Sequence, residues 1–432
     1  MKRTVLLGLA ALLVLGWGTT INGLVERPAE YRQLLQEAEQ FEQEEIYVRA
    51  IECYERALKY QPDSIDLNMK IANAYLNMND ETSFISICNS VNADFHYPVE
   101  TVLAQTDYYI GKKQNKKAIE LLKNGLKQHK NSQELQERYE TVKYTYTGLY
   151  LRYDQILPFC NDSAVVMEDG RYGLIDHRGK LKIKCGYDWL GPLSSDGEYV
   201  PVLESGNYYY ASSSGQRMAV PKEGQKVEAL GILCDGTAPA KINGAFGYIN
   251  EMFEEQCSFQ WEEASVIFDG VGAVKKEGAW ALIDSDYRNL TDYVYEDVKC
   301  DEYGYCSKSG RIFAKTGDGY IMIDGKGNRV GTLAYQDAVP FITEEPTAVK
   351  IDGKWGYVNR EGELVIEPCY EDAGPFSNGM APVKQTTQWG YIDRSGEIRI
   401  DTQYEEAGSF YKGTAPVMEG NTWTAIELNM KG

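Results

Sequence analysis

Eight times between residues 172 and 423 an aromatic side chain opens a short β-like run: Tyr172, Tyr208, Phe246, Trp280, Tyr320, Trp355, Trp389 and Trp423. In six of these units a second aromatic stands eleven residues past the Asp or Asn that ends the run, pairing Asp176 with Tyr187, Asn250 with Trp261, Asp284 with Tyr295, Asp324 with Tyr335, Asn359 with Tyr370 and Asp393 with Tyr404. An offset kept without drift means that each unit repeats one backbone path. The second copy departs from it, with YYYASSSG and an enlarged following loop. Units of three or four short strands cannot bury both faces alone, so they stack radially as a propeller or linearly as a β-solenoid. A propeller-like ring of seven or eight units is the favoured reading, with an open solenoid as the alternative. The last unit lacks its third strand, and no upstream strand is evident to replace it.

Within a unit, strands such as Ala381-Pro382-Val383-Lys384 pair through a Gly-containing turn with a WGYID-type strand. The Asp or Asn ending that strand suits a turn, because its short side chain can bond to nearby amides. Glycine after the aromatic permits close approach of another chain segment. Lys354-Trp355-Gly356-Tyr357 and Gln388-Trp389-Gly390-Tyr391, with variants at Tyr172-Gly173-Leu174 and Phe246-Gly247-Tyr248, closely resemble the WG repeat family of bacterial proteins. Residues 153–430 are assigned to this β domain. The repeat-motif residues Tyr172, Phe246, Trp280, Tyr320, Trp355, Gly356, Trp389, Gly390 and Trp423 are expected to fill the core between units, since periodic rings supply large buried area. Exposed in a cleft, the same rings would suit a glycan or cell-wall polymer.

Residues 28–148 have a different texture. Apolar residues recur at helical spacing and a 34-residue period links Leu34, Ala38, Ala50, Tyr54 and Ala57 to Asn68, Ala72, Phe84, Cys88 and Val91, then to Val102, Thr106, Ala118, Leu122 and Gly125. The segment AIECYERALKYQP carries a resemblance to the tetratricopeptide repeat, which implies helix pairs and a concave protein- or peptide-binding surface. Lys112, Lys113, Lys116, Lys117, Lys123, Lys127 and Lys130 make its third copy basic, as a solvated face or as a site for an anionic partner.

At the N-terminus, Lys2 and Arg3 precede an uncharged run over 4–25, long enough as a helix to cross a hydrocarbon core of about 30 Å. Residues 1–27 are therefore expected to form a signal anchor, with the rest outside the cytoplasm; a cleaved secreted form is the alternative. The fold class is thus multidomain: a membrane helix, a TPR-like α-helical solenoid and an all-β repeat array. Nine scattered cysteines without a CxxC pair are expected to be mostly small buried hydrophobes.

A net charge of −20 disfavours nucleic acid, and three histidines leave little for imidazole chemistry. The acidic pairs Glu262-Glu263, Glu296-Asp297, Glu371-Asp372 and Glu405-Glu406 recur with the repeat, whereas catalytic carboxylates are singular. No phosphate loop, zinc spacing or nucleophile elbow is present, so no cofactor and no enzymatic activity are expected. The expected function is a membrane-anchored interaction scaffold of a bacterial envelope, binding protein partners.

Overall fold

The computed structural model describes residues 29–430, in two units that divide between Lys143 and Tyr144. In the first, the described helices are α1 (Ala29–Gln43), α2 (Tyr47–Leu58), α3 (Ile65–Asn77), α4 (Glu81–Asp94), α5 (Val99–Gly111), α6 (Asn115–Gln128) and α7 (Gln133–Val142). Three of them start on side-chain caps: Ser64 accepts the Leu67 N–H at 3.3 Å, Asp80 the Ser83 N–H at 3.1 Å and Ser132 the Leu135 N–H at 3.4 Å. Most of the 34-residue positions are buried, among them Leu34, Ala38, Tyr54, Ala72, Phe84, Cys88, Val102, Thr106, Ala118 and Leu122. At Gly125 a Cβ would stand 3.1 Å from both the Leu135 and Val102 side chains, so the small residue sets how closely α6 approaches its neighbours. Two of the polar residues buried here are joined in a short chain: Asn92 donates to Gln105 and Gln105 to Asn89, each at 2.8 Å.

The fold class read from the sequence needs a correction. Among the described residues no helix is long and apolar enough to cross a membrane. The longest, α1, has 15 residues and several charges, whereas a span needs about 20 apolar ones. The expected membrane helix over 4–25 lies outside the described residues. The architecture is a helical unit followed by an eight-bladed β-propeller.

Each blade is a small antiparallel sheet. Blade 7 is representative: a two-residue strand, Asp372–Ala373, then the hairpin Met380–Gln385 and Gln388–Asp393, then the outer strand Ile398–Tyr404. Blades 3 and 4 keep the first three strands and reduce the outer one to isolated bridges, including Phe246 with Trp261 and Trp280 with Tyr295. Exposed apolar residues such as Leu181, Leu333 and Val365 lie on outer strands, and the buried ones fill the spaces between blades.

The ring is closed, which corrects the open alternative and the missing last strand. Tyr146–Gly148, read from the sequence as the tail of the helical segment, pairs antiparallel with Thr422–Leu428 of blade 8, with Tyr146 opposite Leu428 and Gly148 opposite Ile426. Three residues of strand were too short to signal themselves by alternation.

Candidate functional site

The repeated residues build the ring before they build any site. Each Asp or Asn that ends a middle strand folds the next turn around its side chain: Asp393 Oδ1 accepts the N–H groups of Ser395 and Glu397 at 2.9 and 3.3 Å, and Asn359 does the same for Glu361 and Glu363 at 3.1 and 2.8 Å. In the irregular second blade Ser212 Oγ takes over this role, accepting from Ser214 and Gln216. The fixed offset of eleven then has a geometric cause, because it brings the second aromatic opposite the first. Tyr172 faces Tyr187, Tyr320 faces Tyr335, Trp355 faces Tyr370 and Trp389 faces Tyr404.

The outer strand bulges across the glycine between these pairs. A Cβ on Gly356 would lie 2.6 Å from the Ile366 carbonyl oxygen, and one on Gly390 would lie 2.5 Å from that of Ile400. Both obstacles are backbone. The Tyr that follows the glycine reaches the next blade: Tyr357 donates to the Gly374 carbonyl at 3.1 Å and Tyr391 to that of Gly408 at 2.9 Å. Burial pushes both phenols well above their ordinary pKa, so they remain donors. Gly374 and Gly408 are themselves packed under the strand prolines, Pro382 and Pro416.

Of the repeat-motif residues, Trp280, Tyr320, Trp355, Gly356, Trp389 and Gly390 are buried, and Tyr172, Phe246 and Trp423 are half-buried. Trp355 and Trp389 are only 8% and 7% exposed. Lys350 and Lys384, their cross-strand partners, hold ammonium groups over the rings, 5.8 Å from the centroids.

The recurrent acidic residues also have a place, which sequence reasoning missed. The residue just after the second aromatic caps the hairpin of the next blade: Asp154 accepts from Asp169 N–H at 2.7 Å, Glu262 from Gly278 at 3.1 Å and Glu405 from Gly420 at 3.1 Å. Gln336 does so for Gly353 at 2.7 Å. Their recurrence at one offset was the signal.

The ring axis is asymmetric. Most blades join the first short strand to the hairpin by a brief turn, such as residues 374–379, but blade 5 inserts residues 299–310. Tyr303 and Tyr305 of this insert cross toward blade 1, where Tyr303 donates to the Pro158 carbonyl at 2.6 Å and Tyr305 packs with Cys160, Ile232, Cys234 and Val266. The rest of the axis is a cavity of about 500 Å³, to which blades 1, 5, 6, 7 and 8 all contribute. Pro158, Pro340, Pro375 and Pro382 form apolar wall, with the edges of Trp355 and Trp389. The Trp389 indole Nε1 is buried without a hydrogen-bond partner.

Charged groups on this wall are nearly balanced by pairing. Lys299 bonds Asp337 at 2.8 Å, and Asp301 pairs with Lys308 at 3.3 Å. Glu302 has no ion-pair partner among the described residues, and its side chain is exposed to solvent. Partial desolvation by the surrounding wall and then the neighbouring Asp301 push its carboxyl above the usual glutamate range. Among the described residues no three His, Cys, Asp or Glu side chains cluster to hold a metal. All nine cysteines are free, and burial pushes the Cys234 and Cys306 thiols up to about 11.

The chain is similar to several solved structures at low identity. The first tetratricopeptide domain of Spaghetti (RPAP3), bound to an HSP90 peptide, is 17% identical, covering 26% of this chain and 90% of that one at a TM-score of 0.22. Hsv2p of Kluyveromyces lactis is 10% identical, covering 64% and 98% at 0.38, and the AfRom2 CNH domain is 8% identical, covering 67% and 100% at 0.33. No curated protein matches the chain. The family model of the WG containing repeat matches residues 172–208, 355–386 and 389–423, stretches that run through blades 1, 2, 6, 7 and 8, so the chain carries WG repeats.

Proposed function

We propose that the protein is a non-enzymatic interaction scaffold, and that the β unit takes hold of a protein partner at the axial cavity. The observation that carries this reading is Glu302, the one charged group on the cavity wall without an ion-pair partner among the described residues, set among prolines and tryptophan edges. A lone carboxylate in a mostly apolar recess suits a partner's Lys or Arg side chain. Burial of Trp355 and Trp389 favours protein over glycan as the partner. The tetratricopeptide resemblance of the helical unit adds a second partner-binding surface to the proposal. An address outside the cytoplasm also belongs to it, and rests on the sequence of residues 2–27 alone.

The test is Glu302→Lys in the full chain, expressed in its native cell and crosslinked before purification. The proposal expects a discrete protein partner that is lost in the variant while the melting curve is kept. Undiminished capture by the variant, or capture of glycan alone, would refute it.

A further inference from the structure

Blade 2 is the one blade whose opening aromatic lacks its counterpart. Elsewhere the two aromatics exchange backbone bonds, as where Phe246 N–H donates to Trp261 at 2.8 Å and Trp261 N–H returns to Phe246 at 3.1 Å. Tyr208 opens the strand Asn207–Ser212, but its outer strand is only Arg217–Ala219, in register with Tyr210 and Ala211. The chain then leaves the sheet at Val220 and returns as Val227–Leu230 of blade 3.

A cleft of about 580 Å³ occupies the vacated place, with residues 206–209 on one side and Val220, Pro221 and Lys222 among those on the other. The direction of the Tyr208 backbone groups follows from its inner neighbour. Leu203 lies opposite Tyr208, and its carbonyl accepts the Asp188 N–H at 3.1 Å on its far side. Leu203 and Tyr208 are therefore a non-hydrogen-bonded pair of the antiparallel ladder, and the N–H and carbonyl of Tyr208 point outward into the cleft. This is an open sheet edge of one strand's width.

Two further observations describe the occupant. Arg217, Lys222 and Lys226 line the cleft, each paired with a carboxylate that does not: Arg217 with Glu204 at 2.9 Å, and Lys222 and Lys226 with Glu254 and Glu228 at 3.5 and 3.4 Å on exposed side chains. Blade 8, moreover, already completes itself with a strand distant in sequence, taking Tyr146–Gly148 beside Thr422–Leu428 and Tyr153 opposite Trp423. The fold thus accepts a non-contiguous outer strand with an aromatic at the pairing position.

We propose that the blade 2 cleft binds an extended acidic segment of a partner protein, which adds as the missing outer strand with an aromatic residue opposite Tyr208. This rests on the scaffold reading and names a second, separate grip. Main-chain bonds to Tyr208 supply the affinity, and Lys222 and Lys226 exchange their weak exposed pairs with Glu254 and Glu228 for the partner's acidic flanks.

The probe is a fluorescent peptide of this chain's own residues 398–406, IRIDTQYEE, which ends an outer strand on Tyr404 and carries acidic flanks. Anisotropy with the full-length chain should saturate. K222E with K226E, both at exposed side chains, should weaken binding about tenfold, and N-methylation of the peptide at Tyr404 should weaken it at least as much. Absence of saturation, or binding indifferent to N-methylation or to charge reversal, would overturn the proposal. If the charge reversal alters only self-association of the chain, the occupant is a second copy and the proposal also fails. Partner capture that depends on Glu302 is read separately, so either idea can fall without the other.

Discussion

Tyr153 and Trp423 exchange two backbone hydrogen bonds, the Tyr153 N–H donating to Trp423 at 3.2 Å and the Trp423 N–H to Tyr153 at 3.0 Å. This is the aromatic pair of blade 8, made by the first and last repeats of the ring. With Tyr146–Gly148 it joins the two ends of the β unit, as a zipper joins cloth, and it leaves no open edge at the junction.

A chain beginning at Tyr144 should therefore keep the closed ring, and one beginning at Tyr153 should not, because it loses the strand Tyr146–Gly148 and the Thr147 hydroxyl bond to Asn429. The shorter chain should unfold at lower urea and aggregate more readily. Equal midpoints and equal solubility would mean that closure contributes nothing.

Trp355 packs with Tyr370, Ala373, Phe376 and Ile392, residues of blades 6 and 7. Trp355→Ala should lower the stability of the β unit by about 3–5 kcal/mol, the usual cost of emptying a large buried site. Urea denaturation followed by tryptophan fluorescence measures it. A stability within about 0.5 kcal/mol of the parent would remove the ring from the core.

How much of this was readable beforehand depended on how local the cause was. The turn built on Asp393 involves residues two and four places on, so its signature repeats along the chain. The closing pair joins residues at opposite ends of the array, and its trace in the sequence was indirect: Tyr153-Asp154-Gln155-Ile156-Leu157-Pro158-Phe159 aligns with the run from Tyr370 to Phe376, which begins with an outer-strand aromatic. The acidic caps at Glu262 and Glu405 were visible as a recurrence but not as a bond, since their partners lie in the following hairpin. The cavity was not legible at all. It exists because residues 299–310 fill one part of the axis and leave another, and that choice is made by tertiary packing of Tyr303 and Tyr305.

Gly390→Ala tests the reason for the glycine in the repeat. The new methyl would meet the Ile400 carbonyl oxygen at 2.5 Å and the Thr402 nitrogen at 2.8 Å, neither of which can turn aside. The bulged outer strand would have to lift, costing about 1–3 kcal/mol or more. Gly317→Ala, where nothing lies within 4 Å, is the control and should be close to neutral. Similar melting temperatures for the two variants would show that the outer strand does not depend on this approach.

The last expectation concerns acid. Asp393 is buried, which alone would raise its pKa, but the hydroxyl and N–H of Ser395 and the Arg399 guanidinium at 2.7 Å outweigh burial and hold it below the usual aspartate range. A carboxyl whose folded pKa is depressed contributes stability above its unfolded value of about 3.9, and that contribution is lost as pH falls through the folded value. Asp393→Asn keeps a turn-forming oxygen, as Asn359 does in blade 6, but cannot ionise or pair with Arg399. The variant should be less stable at pH 7 by about 1–3 kcal/mol, the usual worth of a hydrogen bond to a charged group. The deficit should begin to shrink as pH falls below about 4, where the carboxyl of the unfolded chain takes up its proton, and should close as pH passes through the lower folded value. Melting curves of both proteins between pH 7 and pH 2 decide it: a deficit that stays constant across that range would mean that Asp393 stabilises through its turn geometry and not through its charge.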